Sequence, residues 1–183
     1  MPGAFVHAPA QILTCINAVR YDPFVMADVP CFSVVQTPAT NLRRPQRWNL
    51  TINNALIDAA ISHNGLQIEK EQIITNSMRI SLGLPDLPNL VRAAGYNPAS
   101  VTFNLASGQA SARAVVASWF CSTGSRNNMF SCLFEEVGIA SGSEFITMMF
   151  GCVGLKGSQK NGAVFVLAPC KGGDDQSFLI GAS

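Results

Sequence analysis

The order of its periodicities restricts this chain's fold more than any single motif. Apolar residues recur at helical spacing through the first two thirds, and β-rich runs gather in the last third. In "AQILTCINAVRY" (10–21), Ile12, Leu13, Ile16 and Val19 share one helical stripe. Asp22-Pro23 ends that helix, because proline disfavours helical geometry in the residue before it. From Asn49, "NLTINNALIDAAISHNGLQIEKEQII" predicts a long helix capped by Asn49 or Thr51. Its stripe is Ile52, Leu56, Ala59, Ala60 and His63, running on towards Leu66. Gly65 weakens the middle by up to about 1 kcal/mol and marks a place for a kink. His63, on that stripe, reads as a packing residue. A short helix follows Pro88 and ends at Gly95. "SVTFNLA" reads as a strand, and "GQASARAVVASWF" as a helix with Ala112, Val115, Val116 and Trp119 inward. Phe134 to Val153 reads as two strands around "SGSE", and "GAVFVLAP" as a further β-rich run. This order predicts an α+β fold with helices packed on a mainly antiparallel sheet.

A chain of 183 residues fits one domain. It buries about 70% of its unfolded surface and needs no metal to fold. Lys and Arg number 12 against 11 Asp and Glu, a balance that argues against nucleic acid as a partner. No apolar run reaches the roughly 18 residues of a membrane span. Residues 28–47, with Pro30, Pro38, Pro45, Arg43, Arg44 and Arg47, read as a solvated loop.

Cys15, Cys31, Cys121, Cys132, Cys152 and Cys170 form an even set without a C-x-x-C pair. Reduced core thiols are one reading. Disulfides in an oxidising compartment are the favoured one, with about 15 connectivities open. Cys121 and Cys132 could pin the loop between them, to each other or to other cysteines. "MPGAFVHAPA" lacks the features of a signal peptide, so the expectation is a mature secreted chain with an added Met. Asn49-Leu50-Thr51 is a candidate glycosylation sequon.

The residues offer little catalytic chemistry. A catalytic zinc site needs at least three protein ligands, and the chain's two histidines, His7 and His63, are far apart with no thiol pair at ligand spacing, so none is expected. A serine triad or a Cys–His pair lacks a placed base. Glu135 and Glu136 are adjacent, so on a strand they face opposite sides and cannot act as a pair. If Glu136 points into a cleft it needs a partner such as Arg126, Asn104 or Tyr96. Alternatively, it is a structural glutamate tying a loop to the sheet. "KGSQKNG" and "CKGGDD" are turns rather than phosphate loops.

Read together, these segments resemble the CAP superfamily, named for cysteine-rich secretory proteins, antigen 5 and pathogenesis-related 1. "ILTCINAVRYDPFVM" resembles its first helix, and "RWNLTINNALIDAAISHNGL" its Trp-led second helix. "RAAGY" (92–96), "VVASWFCSTGSRNNMF", "FEEVGIA" and "EFITMMFG" resemble its later segments in order. The likeness runs over about residues 10–154, within a single domain spanning 1–183. Residues 155–183 are expected to be a C-terminal extension adding a strand that carries Cys170.

The resemblance implies a three-layer α-β-α sandwich, secretion, and a cleft with two His and two Glu. Here Ser125 stands where the family has one histidine, and Phe103 where it has a glutamate, with Asn104 kept. Asn76 lies nearest the second histidine position, and Glu136 alone matches a cleft carboxylate. The expected ligand-binding cleft is therefore Glu136, Ser125, Phe103, Asn104, Asn76, Arg126 and Tyr96, with no metal, cofactor or catalytic residue. The leading function is a secreted, non-enzymatic module binding a sterol or fatty acid, a protein partner in defence or host–pathogen interaction, or both. An apolar composition, with mean hydropathy +0.25, motivates the lipid reading. The alternative is a protein-interaction module or virulence effector without lipid, using 28–47 or 155–183 as its surface. A relict metal-dependent hydrolase or peptidase is the third reading.

Overall fold

In a computed structural model of the chain, residues 8–35, 49–131 and 133–153 are described. Helix α1 (Pro9–Tyr21) buries Ile12, Ile16 and Val19, the stripe the periodicity predicts. It also buries Arg20, whose guanidinium donates to the Met129 and Ser131 carbonyls. Asp22 ends α1 and caps a 3-10 turn (Pro23–Met26) by accepting from Phe24 N at 3.0 Å. A short α2 (Phe32–Val35) follows.

The chain then enters the sheet through β1 (Thr51–Ile52) and turns at once into α3 (Asn54–Lys70). The cap differs from the expected Asn49 or Thr51. Asn53 Oδ1 accepts from Ala55 N and Leu56 N, while Thr51 and Ile52 are strand residues. α3 runs on past Gly65, and its buried stripe is Leu56, Ala59, Ala60, His63 and Gln67 rather than Leu66. Helices α4 (Asn76–Ser81) and α5 (Leu87–Ala93) lead into β2 (Ser100–Ser107). Helix α6 (Ala112–Cys121) buries Ala112, Val115, Val116 and Trp119 as expected. The stretch read as a Thr-Gly-Ser turn and braced loop is instead helix α7 (Thr123–Phe130). Strands β3 (Glu136–Gly142) and β4 (Phe145–Cys152) close a hairpin through Ser143 and Glu144.

The sheet order is β1-β3-β4-β2, with β1 parallel to β3 and the other pairings antiparallel. Side chains alternate across this sheet and build two cores. Val137, Ile139, Ile146, Met148 and Phe150 pack with residues of α1 and α6, including Ile12, Ile16, Val116 and Trp119. Ala140 and Met149 pack with α3 and α5 through Leu56, Ala60, Leu90 and Val91. The result is the expected α+β sandwich of helices on both faces of a mixed, mainly antiparallel sheet. Every residue of β4 is buried, as a central strand covered on both faces must be.

Cys31 and Cys121 form a disulfide at a Cα–Cα distance of 5.6 Å, tying the segment before α2 to the end of α6. The expectation that Cys15 and Cys152 also bridge is not met; both carry free thiols. They sit on separate elements, α1 and β4, and each is taken up in packing, with Cys152 buried at the strand end. Cys132, Cys170, Arg43, Arg44, Arg47, His7 and the expected strand in 155–183 lie outside the described residues.

Gly138 sets the distance between α3 and the sheet. A Cβ on it would lie 2.0 Å from the Leu56 carbonyl carbon and 2.2 Å from Ile57 N. We predict that Gly138→Ala costs about 3 kcal/mol or more, since neither backbone can yield cheaply. Gly65→Ala, with nothing within 4 Å of the new Cβ, should stabilise by about 0.5–1 kcal/mol. Urea unfolding midpoints of the two variants check both signs.

Candidate functional site

Glu136 opens β3 on the α3 side of the sheet, and both its oxygens are taken. Oε1 accepts from Asn53 Nδ2 at 3.0 Å, and Oε2 accepts from the Tyr96 hydroxyl at 2.8 Å. Asn53 is also the α3 cap, so one carboxylate joins strand, helix start and the loop after α5. Tyr96 is buried with its hydroxyl end against Gly151, where a Cβ would meet Cε1 and the hydroxyl oxygen at 2.6 Å. Burial first, then the hydrogen bond to Glu136 and its charge, push the phenol up. Of the partners expected for Glu136, Tyr96 serves; Arg126 and Asn104 are engaged elsewhere. Asn53 was not among the expected site residues, although its place just ahead of the helical stripe is a cap signal.

Phe103 and Asn104 are neighbours on β2 and therefore face opposite sides. Phe103 faces α3, where its ring stacks on His63 at 5.1 Å between centroids and 30° between planes. His63 is wholly buried, and its Nδ1 lies 3.2 Å from Arg79 Nη1. Guanidinium only donates, so Nδ1 accepts and the neutral ring carries its proton on Nε2. That Nε2 has no hydrogen-bond partner among the described residues. Burial lowers the imidazole from its ordinary 6.5 to about 4; the Arg79 charge adds to the drop, and the Ile74 backbone opposes it. Arg79 is itself buried, with Nε donating to the Pro85 carbonyl at 2.9 Å.

Asn104 faces α7. Its Nδ2 donates to the Ser125 carbonyl at 3.0 Å, and its Oδ1 accepts from Asn128 Nδ2 at 2.9 Å. Asn128 also reaches the Phe103 carbonyl, and Trp119 Nε1 donates to the Leu105 carbonyl, so side chains cover the edge of β2. Arg126 donates to the Phe120 and Cys121 carbonyls and closes the end of α6. Asn76 Oδ1 accepts from Leu87 N at 2.7 Å and joins α4 to α5.

The expected cleft residues thus fall into separate groups. Tyr96 meets Glu136, Asn104 meets Ser125 through its backbone, and Asn76 and Arg126 serve local ties. Among the described residues no group of three His, Cys, Asp or Glu is placed to hold a metal. An open groove of about 460 Å³ lies elsewhere, between α1 and the start of α6, lined by Ala10, Gln11, Thr14 and Cys15 on one side and Ser111, Ala112 and Arg113 on the other. Arg113 is held there by Asp28 and the Val25 carbonyl.

No family model and no curated protein matches the sequence. Solved structures do match the fold. One is an extracellular protein containing an SCP domain from Bacillus anthracis, at TM-score 0.56 and 16% identity over 79% of this chain and 41% of that one. A second is a cysteine-rich secretory protein from Staphylococcus aureus, at TM-score 0.51 and 12% identity over 78% of this chain and 38% of that one. A third is an outer surface protein from Borrelia burgdorferi, at TM-score 0.54 and 12% identity over 80% of this chain and 96% of that one. This chain therefore spans less than half of the first two proteins and nearly all of the third.

His63 makes stability depend on pH. Its folded pKa lies below the unfolded one, so the unfolded chain binds the extra proton between them. The His63 contribution should be full above pH 6.5 and should fall by about 3 kcal/mol as pH drops to about 4, where it levels off. His63→Gln should flatten the upper part of that slope, measured as unfolding free energy against pH. Tyr96→Phe should cost about 1.5 kcal/mol by leaving Glu136 with one partner; an unchanged urea midpoint would show that the tie does not stabilise the fold.

Proposed function

We propose that this chain, which has the fold of the CAP superfamily, is an extracellular, non-enzymatic module that binds an apolar small molecule such as a sterol or fatty acid. The observation that carries the non-enzymatic reading is the commitment of the polar residues to structural ties. Glu136 is tied by Asn53 and Tyr96, Asn104 pins α7, and Phe103, where the family resemblance expects a second carboxylate, stacks on His63. A general base needs a lone pair within reach of a substrate proton. The lone pair of His63 Nδ1 faces Arg79 inside the core.

The groove between α1 and α6 supports the apolar ligand. It is an open depression rather than an enclosed cavity, with Ala10, Cys15 and Ala112 supplying apolar surface between Gln11, Thr14, Ser111 and Arg113, so an apolar ligand would lie along it and stay partly exposed. The fold shared with extracellular and secreted proteins supports the location, and the Cys31–Cys121 disulfide fits an oxidising compartment. A protein partner is the second reading. Tyr21, Phe24 and Val25 are 71%, 51% and 40% exposed on consecutive turns at the end of α1, a large apolar surface for one place.

Delipidated protein titrated with labelled cholesterol and labelled palmitate should take up one of them saturably. Gln11→Trp and Thr14→Trp, which fill the groove, should weaken that uptake about ten-fold or more. Absence of saturable uptake of either lipid would remove the small-molecule reading. If Phe24→Ser then abolished capture of a partner, the interaction reading would stand in its place. Stoichiometric metal in protein purified without chelator would instead revive hydrolase chemistry.

A further inference from the structure

Arg79 is 4% exposed, yet among the described residues none of its hydrogen-bond partners carries a negative charge. Its Nε donates to the Pro85 carbonyl and its Nη1 to the neutral His63 ring. The described ion pairs, Lys70–Glu69 and Arg113–Asp28, lie elsewhere. A guanidinium has five N–H donors, so the second Nη1 hydrogen and the Nη2 edge have no acceptor among the described residues. Nη2 is not among the buried atoms left without a partner, so this edge is the part of the side chain that solvent, and hence an anion, can reach. Asn76, one turn before Arg79 on α4, is fixed to Leu87 N and so holds that helix in register beside α5.

We propose that the Nη1–Nη2 edge of Arg79, between α3, α4 and β2, is the anchor of a binding site for a small organic carboxylate. The planar fork of guanidinium matches a carboxylate through two parallel hydrogen bonds. The partner is a monoanion, because the nearest ionisable neighbour, His63, is neutral at pH 7 and adds no second positive charge. His63, stacked on Phe103, lies against Nη1, so a carboxylate with a flat apolar body would gain ring contact that a bare one lacks, which the comparison of benzoate with acetate tests. This place is on the α3 side of the sheet, opposite the α1–α6 groove, and the inference stands apart from the lipid reading.

The test is a titration of the full 183-residue chain with sodium acetate and with sodium benzoate, against sodium chloride at equal ionic strength and pH 7. Melting temperature and the arginine Nε–Hε resonances are read. The expected result is a saturable rise in melting temperature through the millimolar range, with benzoate binding several-fold more tightly than acetate. One arginine resonance should shift with the same midpoint. Arg79→Gln should raise the apparent dissociation constant at least about ten-fold, and Arg79→Lys should weaken binding less. If Arg79→Gln does not fold, the wild-type arginine resonances decide alone. No saturable shift with either salt would show that water completes the guanidinium edge and would overturn the site. A response unchanged in Arg79→Gln would overturn it equally.

Discussion

The approach of α3 to the sheet at Gly138 governs the rest of the molecule. With no side chain at that position, the backbone of Leu56 and Ile57 rests directly on β3. That contact brings Leu56, Ala59 and Ala60 onto Ala140 and Met149 and forms the second core. It also fixes where α3 begins. Asn53 leaves β1, caps the helix and holds Glu136 within one residue's reach. The loop after α5 is then drawn in, because Tyr96 must meet the other oxygen of Glu136. A Cβ at position 138 would lift the helix and loosen each of these at once.

The same close packing explains why the polar groups on the α3 side are structural. Gln67 is fully buried and donates to Thr147 Oγ1 at 2.9 Å while accepting from Ile74 N at 3.2 Å. Asn64, oriented so that its oxygen accepts from Gly142 N at 3.1 Å and its amide reaches Phe145 O, completes the seam between α3 and the hairpin. Buried polar atoms demand partners, and here helix and strand supply them to each other. The α3–α4 corner is different. His63 retains one unsatisfied nitrogen, and Arg79 retains an uncompensated charge. There a buried imidazole accepts from a guanidinium without a carboxylate between them, unlike the neutral pairs of the α3 seam.

Much of the fold was legible from spacing. The α1 stripe, the inward face of α6 and the β3–β4 hairpin all follow from apolar period and turn residues. The errors have physical causes. Thr51 looked like a cap because its hydroxyl precedes the helix, but β1 pairing with β3 claims it first. α7 looked like a loop because Thr123, Gly124, Ser125, Asn127 and Asn128 are weak helix formers. Tertiary ties hold it as a helix: Asn104 of β2 bonds the Ser125 carbonyl and the Asn128 amide of α7, and Arg126 of α7 bonds the end of α6. The Tyr96–Glu136 pair was within reach of sequence reasoning. The Asn53–Glu136 and His63–Arg79 contacts were not, because they depend on the packing distance between elements.

Taken alone, the sequence determined the class of fold: helices first and a β-hairpin late. It also determined which glycines and cysteines were available. Only the tertiary structure decided their use. It paired Cys31 with Cys121 across 90 residues, left Cys15 and Cys152 as thiols, and sent Phe103 and Asn104 to opposite faces. Periodicity fixes which side of an element is apolar, because that depends on neighbours along the chain. Partner choice among polar and sulfur atoms depends on ångström-scale separations between distant segments, and those exist only once the sheet and its two helical layers have closed.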